Sequence, residues 1–191
     1  MKTVTIVAFD DCTDIDVFLP WDLFNRMTAK DKGWKVKIVG TAAKHRSSSG
    51  LNFETHGDIQ ECKTADVVFF ASGSGTRKLM RNPEYLKQFD LDPEKQIICS
   101  MCSGSLILAG LGLLEGLSAT TYPSVVNELK SFGVTYEEKS LVTHGNIATA
   151  AGCLAALELV SWVLDRTVGV EIRENVMASI LPVGKGIECL Y

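Results

Sequence analysis

Short apolar runs alternate with amphipathic stretches along the whole chain, and the two periods predict its elements in turn. Residues 3–9 are rich in β-branched side chains and read as a strand. Residues 34–41 set Lys35 and Lys37 against Val36 and Ile38 and close at Gly40, predicting a second. A polar loop over 44–50 and a short strand over 51–55 follow, then a buried strand over 66–71. Pro20 marks the start of a second helix after an acidic segment, with Trp21, Leu23, Phe24 and Met27 as its buried face. Further helices are expected from about Arg77, over 83–89, from Gly104 to about 110–116, and over 123–130, 152–163 and 168–181. A short strand is expected over 118–122, and residues 141–149 predict a hairpin turning at Gly145 and Asn146. Strand alternating with helix predicts one α/β domain over 1–191, a mainly parallel sheet with helices on both faces.

Residues 96–110 stand out within this pattern. An apolar strand meets an apolar helix across Cys102, Ser103 and Gly104, so the chain must turn sharply. Such a junction, a nucleophile elbow, exposes its turn residue at the sheet rim beside the unpaired N–H groups of the helix start. A thiol there is a candidate nucleophile, because those amides and the helix dipole favour thiolate. A second strand–turn–helix junction carries Gly73, Ser74 and Gly75. It lacks the lysine and the spacing of phosphate-binding loops, and its expected use is to face backbone N–H groups toward Cys102. In parallel sheets ligands sit beyond the carboxyl ends of the strands, where this turn, Cys102 and the segment holding Asp16 would converge. Asp16 lies among Ile15, Val17 and Phe18, so its carboxyl is either a satisfied helix cap or a functional group in a partly desolvated pocket.

Composition narrows the classes. A net charge of −4 argues against nucleic acid or an anionic membrane as the main partner, and no apolar run reaches membrane-spanning length. Six cysteines, with a strand beginning at the first residues and no room for a targeting segment, suggest free thiols in a reducing cytoplasm. Cys12, Cys62, Cys99, Cys153 and Cys189 are expected to be inert core thiols. Cys99 and Cys102 spell C-x-x-C, but a redox pair would open the helix itself, whereas Cys99 belongs to the strand. No spacing of Cys and His suggests a metal site, and His45, His56 and His144 are expected at the surface.

The run from Cys102 to Gly116, followed by Ala119, Thr120 and Thr121, resembles the nucleophile elbow of the ThiJ/PfpI superfamily. Residues 15–20 resemble its acidic segment, Gly73 to Gly75 its glycine turn, and 145–152 its hairpin and last long helix. The resemblance implies a flavodoxin-like three-layer α/β sandwich related to class I glutamine amidotransferases. Asp at position 16 is similar to isonitrile hydratases, which implies Cys102, Asp16 and Ser103 as catalytic residues acting on a small electrophile without a cofactor. Gly73, Ser74 and Gly75 would then line the oxyanion site, and Val17, Phe18 and Tyr122 the pocket. Ser103 stands where PfpI-type proteases carry His, and Tyr122 where many relatives carry one, so neither protease nor glyoxalase chemistry is implied. The resemblance also implies a homodimer, and the length leaves no space for the helix-turn-helix module of the DNA-binding relatives. The competing expectation is a non-enzymatic oxidative or electrophile sensor using the same Cys102. A third is a divergent member with the same site residues and another substrate.

Overall fold

The structure, a computed structural model, describes residues 1–181 and 183; Cys189, expected as an inert core thiol, lies outside the described residues. A seven-stranded sheet forms the centre, in the order β10 (Leu141–His144), β11 (Ile147–Ala150), β7 (Ile97–Met101), β6 (Val67–Phe70), β1 (Lys2–Val7), β2 (Trp34–Gly40) and β5 (Gly57–Asp58). Every neighbouring pair is parallel except β10 with β11. The central strands are covered on both faces, which is why β6 and β11 are buried at every position.

Helices α1 (Asp14–Lys30), α6 (Ala156–Thr167) and α7 (Val170–Ala178) pack on one another, with α1 against β1 and β2 and α6 against β7 and β11. The short helices α2 (Thr76–Leu79), α4 (Ser105–Gly110) and α5 (Val126–Lys130) form a second group, with α4 against β7. α3 (Pro83–Leu86) is capped by Asn82, whose side chain accepts from the Glu84 and Tyr85 N–H groups. The α/β sandwich expected from the alternation is therefore the fold. Among the described residues no helix is long and apolar enough to cross a membrane.

Three local expectations are corrected. Pro20 does not begin a second helix but lies inside α1. Its missing N–H leaves one carbonyl without an intrahelical donor, yet buried positions 17, 20, 24 and 27 keep helical spacing straight through it, and packing of that face holds the helix together. The predicted loop over 44–50 contains β3 (Lys44–Arg46), which pairs with β4 (Asn52–Glu54) around the Ser47–Gly50 turn. The strand expected over 118–122 is only β8 (Ser118–Ala119), paired with β9 (Thr135–Tyr136) outside the main sheet.

The hairpin of β3 and β4 also buries His45, which was expected at the surface. Its Nδ1 is 3.2 Å from Asp10 Oδ1, and its ring lies where a side chain at Gly40 would stand, 2.4 Å from a Cβ built there. His56 is exposed, as expected, and its Nδ1 accepts from the Ile38 N–H. His144 is half-buried, with Nε2 3.0 Å from the Ser118 hydroxyl.

One glycine fixes how closely the elbow helix approaches the sheet. A Cβ at Gly104 would lie 2.7 Å from the Ala71 carbonyl oxygen and 2.8 Å from that of Phe70, neither of which can move without disturbing β6. Gly104→Ala is expected to lower the unfolding free energy by about 1–3 kcal/mol, the usual cost of forcing a methyl into a packed interior. Gly152→Ala, where nothing lies within 4 Å of the added carbon, is expected to stay within about 0.5 kcal/mol of wild type. Urea unfolding of both variants checks the pair.

Candidate functional site

Strand β7 ends at Met101, and Cys102 then opens a one-turn 3-10 helix, Cys102–Gly104, that runs into α4. Cys102 has φ of 51°; it and Asp11 are the two non-glycine residues described in the left-handed region. That region costs a non-glycine residue roughly 1–2 kcal/mol, so the surrounding contacts must hold it there. The Cys102 carbonyl accepts from the Ser105 hydroxyl at 3.2 Å and the Thr121 hydroxyl at 3.1 Å. Cys102 itself is 7% exposed.

The parallel order of β1, β6 and β7 brings three chain segments to one end of the sheet. After β6, Gly73 turns with φ of 144° and presses so closely on the backbone after β1 that a Cβ would lie 2.2 Å from the Asp11 carbonyl oxygen. Ser72 is wholly buried and its hydroxyl donates to Asp16 Oδ2. Asp16, in the first turn of α1, is also wholly buried, and its Oδ1 has no hydrogen-bond partner. The alternatives left open for this residue thus narrow: its side chain caps no helix end but is held from one side by Ser72.

The other expected site residues fall in different places. The Gly73 N–H donates to the Ser103 hydroxyl at 3.2 Å, and the Gly75 N–H to the Asp11 carbonyl at 3.5 Å. Among the described residues, Ser74 alone of the turn keeps an amide without an acceptor, and Ser74 is exposed. The buried Ser103 hydroxyl, expected to orient water or substrate, is tied to Gly73 and lies 3.1 Å from the Thr76 hydroxyl. Val17 is buried in the core, Phe18 packs edge-on against Phe53 with centroids 5.5 Å apart, and Tyr122 is exposed.

Cys153 is the residue that sequence reasoning missed. Assigned to the inert core, it is half-buried, and its Sγ, the Cys102 Sγ and an Asp16 carboxylate oxygen all lie within 4.8 Å of one another. The signal was present: residues 151–153 are a strand–turn–helix junction after β11, the parallel neighbour of β7. The rule that singled out Cys102 applies there too, but a Cys opening an apolar helix reads as packing. Cys99 is fully buried within β7, as expected, and burial pushes its thiol well up. Cys12 and Cys62 are likewise buried, their thiols pushed up by desolvation to about 11 and about 12.

The electrostatics correct one expectation. Burial pushes the Cys102 thiol above its ordinary value; the Ser72 hydroxyl and the Ser103 amide pull it back, and the Asp16 charge adds to the rise. The helix-start amides do not offset burial in a cluster whose nearest charge is negative. Burial raises Asp16 as well, against the Ser72 hydroxyl and the nearby Cys153 thiol, which lower it. Cys153 rises to about 12, through desolvation first and the neighbouring Asp16 carboxyl second. Burial thus works against the charged form of all three groups. The cluster's two sulfurs and one oxygen are also the atoms available to a metal ion.

Comparison with known proteins bears on the family and the fold. A sequence profile of the DJ-1/PfpI family matches residues 2–166. Isonitrile hydratase from Pseudomonas putida is 27% identical over 180 residues, 93% of this chain and 77% of that protein. Protein dj-1beta from Drosophila melanogaster is 26% identical over 186 residues, 94% of this chain and 97% of that one. The structure of Schizosaccharomyces pombe DJ-1 superposes with a TM-score of 0.79 at 21% identity, covering 95% of this chain and all of that one.

A buried carboxyl whose pKa is raised makes the fold sensitive to pH in a definite direction. The unfolded chain releases the Asp16 proton near the ordinary value of 3.8, whereas the folded chain holds it to higher pH. Between those two values the folded state binds more protons, so this residue's contribution falls as pH rises and is fully unfavourable above the window. Asp16→Asn removes that dependence. Urea unfolding across the acid-to-neutral range is expected to show the variant gaining on wild type as pH rises, with a constant difference once Asp16 is ionised in both states.

Proposed function

This chain belongs to the DJ-1/PfpI family, and on that premise we propose that it is a cysteine-dependent hydratase of a small electrophile, converting an isonitrile to an N-substituted formamide. The observation that carries the reading is the pairing of Cys102, at a left-handed elbow, with a buried carboxyl whose Oδ1 has no partner. The likeness to isonitrile hydratase supports the choice of substrate class.

The protonated thiol sets the order of events. Asp16, with its proton affinity raised by burial, takes the Cys102 proton as the sulfur attacks the terminal carbon of the isonitrile. The same carboxyl returns that proton to the carbon, and the product is a thioimidate, S–CH=N–R. Asp16 then takes a proton from water as the hydroxide adds to the thioimidate carbon, and passes it to the nitrogen. The proton of the new hydroxyl goes by way of Asp16 to the sulfur as the C–S bond breaks. Loss of the Cys102 sulfur gives R–NH–CHO and restores the thiol, so the balance is isonitrile plus water to formamide. The free Ser74 amide and the Ser103 amide steady the oxygen of the tetrahedral adduct. Gly73 and Gly75 shape the turn, and the Ser103 hydroxyl ties that turn to the elbow. Phe18 and Tyr122 supply apolar surface for the substituent R, with Val17 in the core beneath. No step requires a cofactor.

A second reading keeps Cys102 and drops turnover: an oxidative sensor whose thiol becomes a sulfinate held by the protonated Asp16 carboxyl. The unpartnered Oδ1 and the likeness to dj-1beta favour it.

Formamide production from a simple alkyl isonitrile separates the two. Wild type is expected to turn over, Cys102→Ser to fall to background, and Asp16→Asn to lose about 10²–10⁴ in kcat, the usual contribution of a proton-transferring side chain. Full turnover by Cys102→Ser would overturn the mechanism. Absence of product from wild type whose Cys102 still reacts with iodoacetamide would overturn the hydratase and favour the sensor.

A further inference from the structure

The hydratase reading uses Cys102 and Asp16 and leaves Cys153 idle, although its sulfur is within 4.8 Å of both. We propose that Cys153 is a resolving cysteine: a hydroperoxide oxidises Cys102, and Cys153 captures the product as a Cys102–Cys153 disulfide that a small thiol then reduces. This gives the same site a thiol peroxidase activity that does not depend on the identity of the hydratase substrate.

Three features carry the inference. Distance comes first. Two sulfurs already within 4.8 Å reach the roughly 2.05 Å of a disulfide through a modest local rearrangement. The second is room to move. Cys153 opens a one-turn 3-10 helix, Cys153–Ala155, among residues 151–155 that are half-buried or exposed, and nothing lies within 4 Å of a Cβ built at Gly152. Cys102 sits instead in an elbow pinned by Ser105 and Thr121, so Cys153 is the partner able to swing. The third is a shared base. Asp16 Oδ1 has no hydrogen-bond partner and belongs to the same cluster as both thiols.

The steps balance. Asp16 takes the Cys102 proton, the sulfur attacks the nearer peroxide oxygen of ROOH, and the O–O bond breaks. Cys102 becomes a sulfenic acid, two electrons have passed to the peroxide, and the leaving oxygen takes the proton as ROH. Asp16 next takes the Cys153 proton, the Cys153 sulfur attacks the Cys102 sulfur, and hydroxide leaves with that proton as water. Of the two residues Cys153 is the more exposed, so an external thiol attacks there and releases Cys102. A second thiol equivalent frees Cys153, and the reductant leaves as its own disulfide. The pairing also keeps Cys102 from over-oxidation, because the sulfenic acid is consumed before a second peroxide arrives.

The test is intact-mass and peptide mapping of the reduced full chain after hydrogen peroxide and an acid quench. Wild type is expected to lose two hydrogens, to yield one peptide pair joined through Cys102 and Cys153, and to return to the starting mass with dithiothreitol. In Cys153→Ser the joined peptide is lost, and Cys102 gains two oxygens as a sulfinate that dithiothreitol does not reverse. Cys62→Ser, whose altered thiol is buried and unrelated to the cluster, is expected to behave as wild type. If wild type forms the sulfinate as fast as Cys153→Ser and no joined peptide appears, Cys153 does not resolve and the proposal is overturned. The assay contains no isonitrile, so that result leaves the hydratase reading standing, and a failed hydratase assay leaves this proposal standing.

Discussion

The left-handed backbone at Cys102 is the constraint on which the rest of the site depends. A single residue at φ of 51° turns a central strand into a helix within one position, and the conformation is unfavourable for any side chain with a Cβ. Its neighbours leave no alternative. The Cys102 carbonyl is held by two hydroxyls, from Ser105 and Thr121, and Gly104 sits against the carbonyls of Phe70 and Ala71. The Ser103 hydroxyl meanwhile fastens the elbow to the Gly73 turn. Local strain is offset by contacts from β6, from the segment after β8 and from the elbow itself, and the thiol is aimed as a result.

What the elbow aims at is set by sheet topology. Because β1, β6, β7 and β11 are parallel neighbours, whatever follows each of them gathers at one end of the sheet. Four sequence-distant segments thereby contribute Asp16, Ser72, Cys102 and Cys153. The cluster they make is acidic and, apart from the half-buried Cys153, buried, so charge is costly within it. Burial works against the thiolate in such surroundings. The thiol acts only when a partner receives its proton, and the nearest acceptor is a carboxyl whose own proton affinity burial has raised. Hydration of an isonitrile and reduction of a hydroperoxide both need such a shuttle, so the two proposed reactions call on the same groups.

Much of this was legible in the residues. The period of apolar positions predicted the alternating strands and helices, and the apolar run broken by Cys102, Ser103 and Gly104 predicted the elbow. The continuous helix through Pro20 was not readable from a local rule, because proline opposes helix locally and only the packed face of α1 outweighs it. His45 looked like a loop residue until β3 and β4 closed over Asp10 and the space at Gly40. Cys153 looked like core because nothing within its own helix distinguishes a buried thiol from a facing one.

The sequence by itself determined the fold class, the elbow and the presence of a carboxyl in an apolar run, since each follows from periodicity and from residue chemistry within a few positions. Only the tertiary structure decided which groups share the site and what state they rest in. Proximity between residues 16, 72, 102 and 153 is a consequence of strand order, and a proton's place among them depends on burial and on neighbouring charge. Neither quantity exists until the chain has folded around it.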